Sequence, residues 1–431
     1  MNRRSFTISV ALLLLAYSSF AAQPEQTLSP QTNDRIEAWR EDLHALFATL
    51  EYSGRGIKEV EGTAKYPPID FHRLYPLKAF SHEIETISAD IATLTDDEIT
   101  LRLERLMASA HVAHNSAYSG TQSFQPRLPV SFRFLNDGLI IERSTPVFKD
   151  TLEAQVVRIN GQPLDEILEK LRPYVSYEVE PWFRVRAAKA LQCEAYLRLL
   201  HLVNADNEVE LTINGTDGAH RTIAIPFRSA KTPLLNISQF RKQPAPLAER
   251  HPDSWYWFEY LENSKAFYIQ YDRCMEDPKK PMVVFAREVG DAFQQYPIQR
   301  VIVDLRTNIG GNSEVIGPLL HTLKSHRHQS EAVYILIGPE TISSGLMAAV
   351  RLRHELNARL VGEDTGGALG SYGNIQYFRL PHSKITIEYS IKYFDLGPRN
   401  TPLKPDLLTP QTISAQRLGK DVALDAAFVA R

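Results

Sequence analysis

The chain has 431 residues, 43% apolar and 23% charged, and its 48 Lys and Arg against 51 Asp and Glu leave a formal charge of −3. That balance excludes the basic footprint of a nucleic-acid binder, and 26 Pro with 21 Gly are too few for a disordered or collagen-like chain. The length predicts two or three domains, each able to bury a core without disulfide staples.

In chain order, the first segment reads as an address. Arg3 and Arg4 precede an apolar stretch from Val10 to Ala16, and Ser19-Phe20-Ala21 places small residues where a signal peptidase reads. This predicts a signal peptide over 1–21 and a mature start at Ala22. The apolar stretch falls short of the roughly 20 residues of a bilayer-spanning helix, so export without a stable membrane anchor is expected, to the periplasm or the extracellular space. Loss of Arg3 and Arg4 takes the 48 basic side chains to 46 against 51 acidic ones, a mature charge of −5.

Residues 22–126 read as a helical module. Ile36, Trp39, Leu43, Leu46, Phe47 and Leu50 recur at helical spacing, and further helices are expected over Ile84 to Ala92 and Ile99 to Ala110, the latter with Asp96 and Asp97 at its start. From 127 to 230 the texture is β-rich: Leu128 to Phe134, Leu139 to Glu142 and Gln155 to Ile159, then the turn Asn160-Gly161 and a helix from Leu164 to Leu171. Val209 to Ile213 and Arg221 to Ile225 form a hairpin around Asn214 to Gly218. Residues 231–254 read as a linker.

Residues 255–431 alternate strand and helix. Strands are expected at Ala266 to Tyr271, Val301 to Leu305, Val333 to Ile337 and Arg359 to Gly362, with helices over Val283 to Phe293 and Ser344 to Leu356. Strands that read as unbroken apolar runs are covered on both faces, which indicates a mixed or parallel sheet, an α/β fold.

Ligands gather beyond the carboxyl ends of such strands. One strand ends in Asn308-Ile309-Gly310-Gly311-Asn312, and a glycine pair after a buried strand frees backbone N–H groups to face a developing oxyanion. A tight turn is the ordinary alternative. The next strand ends in Thr341-Ile342-Ser343-Ser344, a hydroxyl at a helix start, where a simple N-cap is the ordinary alternative. Cys193 and Cys274 are the only cysteines; no Cys-x-x-Cys or zincin pattern is present, and no metal or organic cofactor is expected.

Asp304-Leu305-Arg306-x-Asn308-x-Gly310-Gly311, Thr341-x-Ser343-Ser344, Val361-Gly362-Glu363-x-Thr365-x-Gly367 and Pro405-Asp406 together resemble the C-terminal processing, or tail-specific, serine protease family. The resemblance runs from about 100 to 428 and takes in Val156 to Pro163, Leu380-Pro381-His382-Ser383 and Gly419-Lys420-Asp421. It implies a crotonase-like sheet-and-helix protease core, a PDZ-like module over the β-rich region, and a peptide or unfolded protein as substrate. By the resemblance Ser343 is the nucleophile, with Ser344 and Gly310 or Gly311 lending oxyanion-hole amides.

Where Ser/Lys members place their lysine this chain has Ala368, so the tricorn-core-like branch, with a histidine base from the helical module, is the better match. Within Ser109 to Asn115, His114 fits that base and His111 is the alternative. The serine expected beside it is Ala113, and the acid expected before Pro405-Asp406 is absent. Asp395 and Glu363 are then the candidate orienting acids. The reading is an exported serine endopeptidase; a catalytically silent peptide- or ligand-binding protein on the same scaffold is the alternative. An esterase on the same nucleophile is a weaker third, without the Gly-x-Ser-x-Gly of an α/β-hydrolase elbow.

Overall fold

The computed structural model describes residues 30–54, 77–118, 127–228, 233–241, 246–326 and 332–430. The signal segment at 1–21 lies outside them. No helix among the described residues is long and apolar enough to cross a membrane.

Three helices, Pro30–Gly54, Leu77–Asp90 and Asp96–Ala108, open the described chain. The third begins in a capping box: the Thr95 hydroxyl accepts from the Glu98 amide and the Glu98 carboxylate accepts from the Thr95 amide. Its buried Ile99, Leu103 and Met107 meet Leu43, Leu46 and Leu50 of the first helix and Ile87 of the second. Leu380, Ile385 and Ile387 complete this core from far along the chain. They belong to a three-stranded antiparallel sheet in the order Ser116–Tyr118, Thr386–Asp395, Gly370–Arg379. The sequence reading placed no strand over 370–395, because two glycines, an asparagine and scattered aromatics break the apolar alternation there.

The second unit is an antiparallel sheet ordered Val130–Leu135, Gly138–Ser144, Gln155–Ile159, Glu208–Asn214, His220–Pro226. Asn160 and Gly161 both take positive φ, 47° and 75°, as the two-residue hairpin turn demands. Helices Leu164–Leu171, Glu180–Ala190 and Glu194–Leu199 cover this sheet, with Ile167, Phe183 and Leu197 in its core. Within the expected linker, Leu235–Asn236 pairs with Arg143 and Ser144, and a short helix, Ile237–Arg241, follows.

The third unit is a six-stranded sheet ordered Leu407–Leu408, Arg359–Gly362, Ala332–Ile337, Arg300–Asp304, Ala266–Tyr271, Tyr256–Leu261. All neighbours are parallel except the last pair. Helices Met282–Gln295, Gly317–His326 and Ser344–Leu356 bury Phe285, Val289, Leu319, Leu323, Leu346 and Leu352 on one face. Val422–Val429 seals the other with Ala423, Leu424 and Ala427 against Tyr268, Ile302 and Tyr334. Burial on both faces is the physical reason for the continuous apolar runs.

The carboxyl end of the Arg300–Asp304 strand is tied to this closing helix. Arg306 bonds Asp304 and reaches Asp421 at 2.7 and 2.8 Å, while Asp421 also caps the helix by accepting from the Leu424 amide at 3.1 Å. The cysteines are unpaired: the Cys193 thiol faces the Lys189 carbonyl and the buried Cys274 thiol faces Asn308 Oδ1 at 3.4 Å.

Candidate active site

Two loops at the carboxyl ends of adjacent parallel strands build the centre. Residues 305–312 leave the Arg300–Asp304 strand and 338–343 leave the Ala332–Ile337 strand. Thr341 joins them: its hydroxyl donates to the Leu305 carbonyl at 2.8 Å and accepts from the Gly338 amide at 3.0 Å. The Ile342 amide donates to the Asn308 carbonyl at 3.1 Å.

Ser343 sits at the N-cap of Ser344–Leu356 with φ 56° and ψ −130°, and its hydroxyl caps nothing. A plain N-cap adopts extended backbone and accepts from the first turn, so the ordinary reading of this serine fails. Positive φ at a non-glycine residue costs on the order of 1–3 kcal/mol and persists where the surroundings enforce it. The turn lifts Ser343 to partial exposure while Thr341, Ile342, Ser344 and Gly345 stay buried.

Behind it, the Asn308 side chain is completely buried and hydrogen-bonded through both its amide nitrogen and its amide oxygen. Its Nδ2 donates to the Tyr271 carbonyl at 2.7 Å, and its Oδ1 accepts from the Gly310 amide at 2.9 Å. That contact corrects the sequence reading in part: the Gly310 N–H is already committed inward. Gly310 serves instead by having no side chain, since a Cβ there would stand 2.7 Å from the Ser343 Cβ. Gly311 is exposed, and neither its amide nor that of Ser344 donates a hydrogen bond among the described residues. The Ser344 hydroxyl donates to the Gly311 carbonyl at 2.7 Å and locks the two loops together. Two amides that donate no hydrogen bond among the described residues thus lie in the two loops that meet at Ser343, and free backbone N–H groups of this kind can hold an anion.

His114 follows the helix Asp96–Ala108 and a short turn. Its neighbour Ala113 and Ser343's neighbour Ile342 bury in one cluster with Val179, Trp182 and Ala368. Ala368 stands where a lysine would serve the other branch, and it is wholly buried. Nδ1 of His114 is buried with no hydrogen-bond partner. Burial pushes the imidazole down to about 4, and a hydrogen bond to the Tyr372 backbone works the other way. His111, by contrast, is exposed, takes φ 51° and stands edge-on to Tyr177 at 6.3 Å.

Neither expected orienting acid bonds to His114. Asp395 lies exposed at the end of its strand, opposite Gly370. Glu363 accepts from the Gln411 amide at 3.2 Å, and burial raises its carboxyl above the usual range. The carboxylate that the structure does bring to this region is Glu178, which accepts from the Tyr372 amide at 3.4 Å. Nothing in Tyr177-Glu178-Val179-Glu180 distinguishes it along the chain. Among the described residues no group of three or more His, Cys, Asp or Glu could hold a metal ion.

The architecture is a mixed α/β fold of the kind expected from the tail-specific protease resemblance. No protein-family profile and no curated sequence matches the chain. Solved structures do: mature CPAF complexed with lactacystin superposes with a TM-score of 0.60 at 13% identity, over 89% of this chain and 95% of that one. Mature CPAF alone gives 0.58 at 13%, over 89% and 94%. A photosystem II D1 C-terminal processing protease aligns more loosely, with a TM-score of 0.40 at 11% identity over 88% and 98%. At these identities the likeness is one of fold.

Proposed function

We propose that the chain is an exported serine endopeptidase of the tail-specific type, working through Ser343 and His114 without a metal or organic cofactor. The observation that carries this reading is the backbone of Ser343: a strained serine whose hydroxyl declines the helix cap in front of it, set against Gly310 where two loops with unspent amides meet.

In the proposed reaction His114, uncharged at neutral pH, takes the hydroxyl proton as Ser343 Oγ attacks the scissile carbonyl. The tetrahedral oxyanion settles between the Ser344 and Gly311 amides, which need no reorganisation to receive it. His114 then returns the proton to the leaving amine, and water repeats the sequence on the acyl-enzyme. The three cores suggest the division proposed from sequence, a helical module at 22–126, a PDZ-like module at 127–230, a linker at 231–254 and the protease core at 255–431. The first of these cores also draws on residues 380–389. The exported location rests on the sequence of 1–21.

The experiment is Ser343→Ala measured with a fluorophosphonate probe and an unfolded protein substrate. Wild type should label and cleave, and the folded variant should do neither. Folded wild type that fails to label would support the silent binding protein, and a variant that still cleaves would remove Ser343 from the mechanism.

A further inference from the structure

His114 sits in a tight turn that is anchored at both ends. The Asn115 amide donates to the Val112 carbonyl at 3.1 Å, which closes the turn and leaves Ala113 and His114 as its central residues. Val112 is wholly buried in the core of the N-terminal helices. Ala113 packs in the cluster that also holds Ile342, the residue before Ser343. The far end of the turn is a polar residue, Asn115, and it is only 1% exposed.

What holds Asn115 is the neighbouring sheet. The strand that follows it, Ser116–Tyr118, pairs antiparallel with Thr386–Asp395 in the register Ser116 to Glu388, Ala117 to Ile387 and Tyr118 to Thr386. Carried two residues further, that register would set His114 opposite Ser390. The ladder stops at Ser116, and the buried Ser390 amide donates to the Asn115 Oδ1 at 3.0 Å. A side-chain oxygen thus satisfies the amide beyond the last rung, so the main chain can leave the sheet at Asn115 and turn through His114.

Resting on the Ser343–His114 reading, we propose that Asn115 is the positioning residue of the base: its amide closes the turn that carries His114, and its side-chain oxygen fastens that turn to the Ser390 main chain. It touches no substrate and moves no proton. It supplies a fixed direction for the imidazole, and a reacting group displaced by about 1 Å loses on the order of 100-fold in rate.

Glu388 provides the contrast. Its carboxylate accepts from the Ser116 hydroxyl at 3.1 Å and the Tyr118 hydroxyl at 2.9 Å, so it holds the same strand but beyond the turn. Loosening the strand there should leave His114 in place.

The experiment compares cleavage of an unfolded protein substrate by variants of the full chain. Asn115→Ala should lower kcat roughly 100-fold with KM within about twofold, and Asn115→Asp, which keeps an oxygen at the same reach, should stay within about tenfold of wild type. Glu388→Ala should leave kcat close to wild type. In a His114→Ala chain, whose residual cleavage comes from oxyanion stabilisation and binding, adding Asn115→Ala should cost nothing further.

An Asn115→Ala chain with wild-type kcat, beside a slow His114→Ala chain, overturns the proposal and leaves the Ser343–His114 reading standing. Equal slowing by Asn115→Ala and Glu388→Ala, or an undiminished further loss in the His114→Ala chain, also overturns it and marks a structural prop. A His114→Ala chain that cleaves like wild type removes the base itself and the role of Asn115 with it. If Asn115→Ala does not fold, Asn115→Ser, too short to reach Ser390, carries the same comparison.

Discussion

A methyl group on Gly310 would lie 2.7 Å from the Ser343 Cβ and 3.0 Å from both the Ser343 Oγ and the Ser344 amide nitrogen. The glycine loop and the Ser343 turn thus touch with no room for a side chain between them, and Gly310 itself takes φ 104°. Gly310→Ala must push Ser343 aside as well as strain its own backbone. A displacement of about 1 Å at a reacting atom costs on the order of 100-fold, so kcat should fall by at least that much. The strain should lower stability by only about 1–3 kcal/mol, leaving a folded protein by circular dichroism.

Asn308 is the buried strut under the same loop. Asn308→Ala would strand the Gly310 N–H and the Tyr271 carbonyl without partners. Each buried orphan costs about 1–3 kcal/mol, so urea unfolding should show a loss on the order of 2–5 kcal/mol. Peptide cleavage by the folded fraction should drop as well, because the carbonyl of the same residue also anchors Ile342. A variant as stable as wild type would show that the loop finds other partners.

His114 makes the protein sensitive to mild acid. Its folded value near 4 lies below the ordinary 6.5, so the unfolded chain binds the proton first as pH falls. Stability from the neutral ring is complete above about 6.5 and is lost progressively as the pH falls through about 4. The whole effect is on the order of 3 kcal/mol. Comparing unfolding free energies at neutral and acidic pH, the decline should be smaller in His114→Gln than in wild type by roughly that amount.

The Arg306–Asp421 pair fastens the last helix to the sheet. Burial would raise the Asp421 carboxyl, but the charge and hydrogen bonds of Arg306 prevail and hold it below the usual value. Asp421→Asn keeps a good helix cap while removing the charge that faces Arg306. Both side chains keep some exposure, 24% and 28%, and Arg306 retains Asp304, so the cost should be on the order of 2 kcal/mol rather than that of a fully buried pair. The pair stabilises above the ordinary carboxylate value of 3.8 and is lost as pH falls through the lower folded one. The gap between wild type and variant should therefore close in strong acid.

The sequence by itself determined the local elements and the chemistry at their ends. Val301 to Val303 and Val333 to Ile337 read as buried strands because both faces are covered, and Asn160-Gly161 reads as a turn because only such residues take positive φ cheaply. Ser343, Gly310 and Gly311 were legible as a group because each follows its strand within a few residues, and the parallel pairing of those strands brings the loops side by side. Only the tertiary structure decided which glycine amide is free, since that turns on the Asn308 side chain folding back on Gly310. It also decided how the imidazole is surrounded. Ala113 meets Ile342, and Glu178 meets Tyr372 across 194 positions of chain, through packing between separate cores. Contacts of that kind depend on how finished elements dock, and no periodicity or spacing along the chain encodes them.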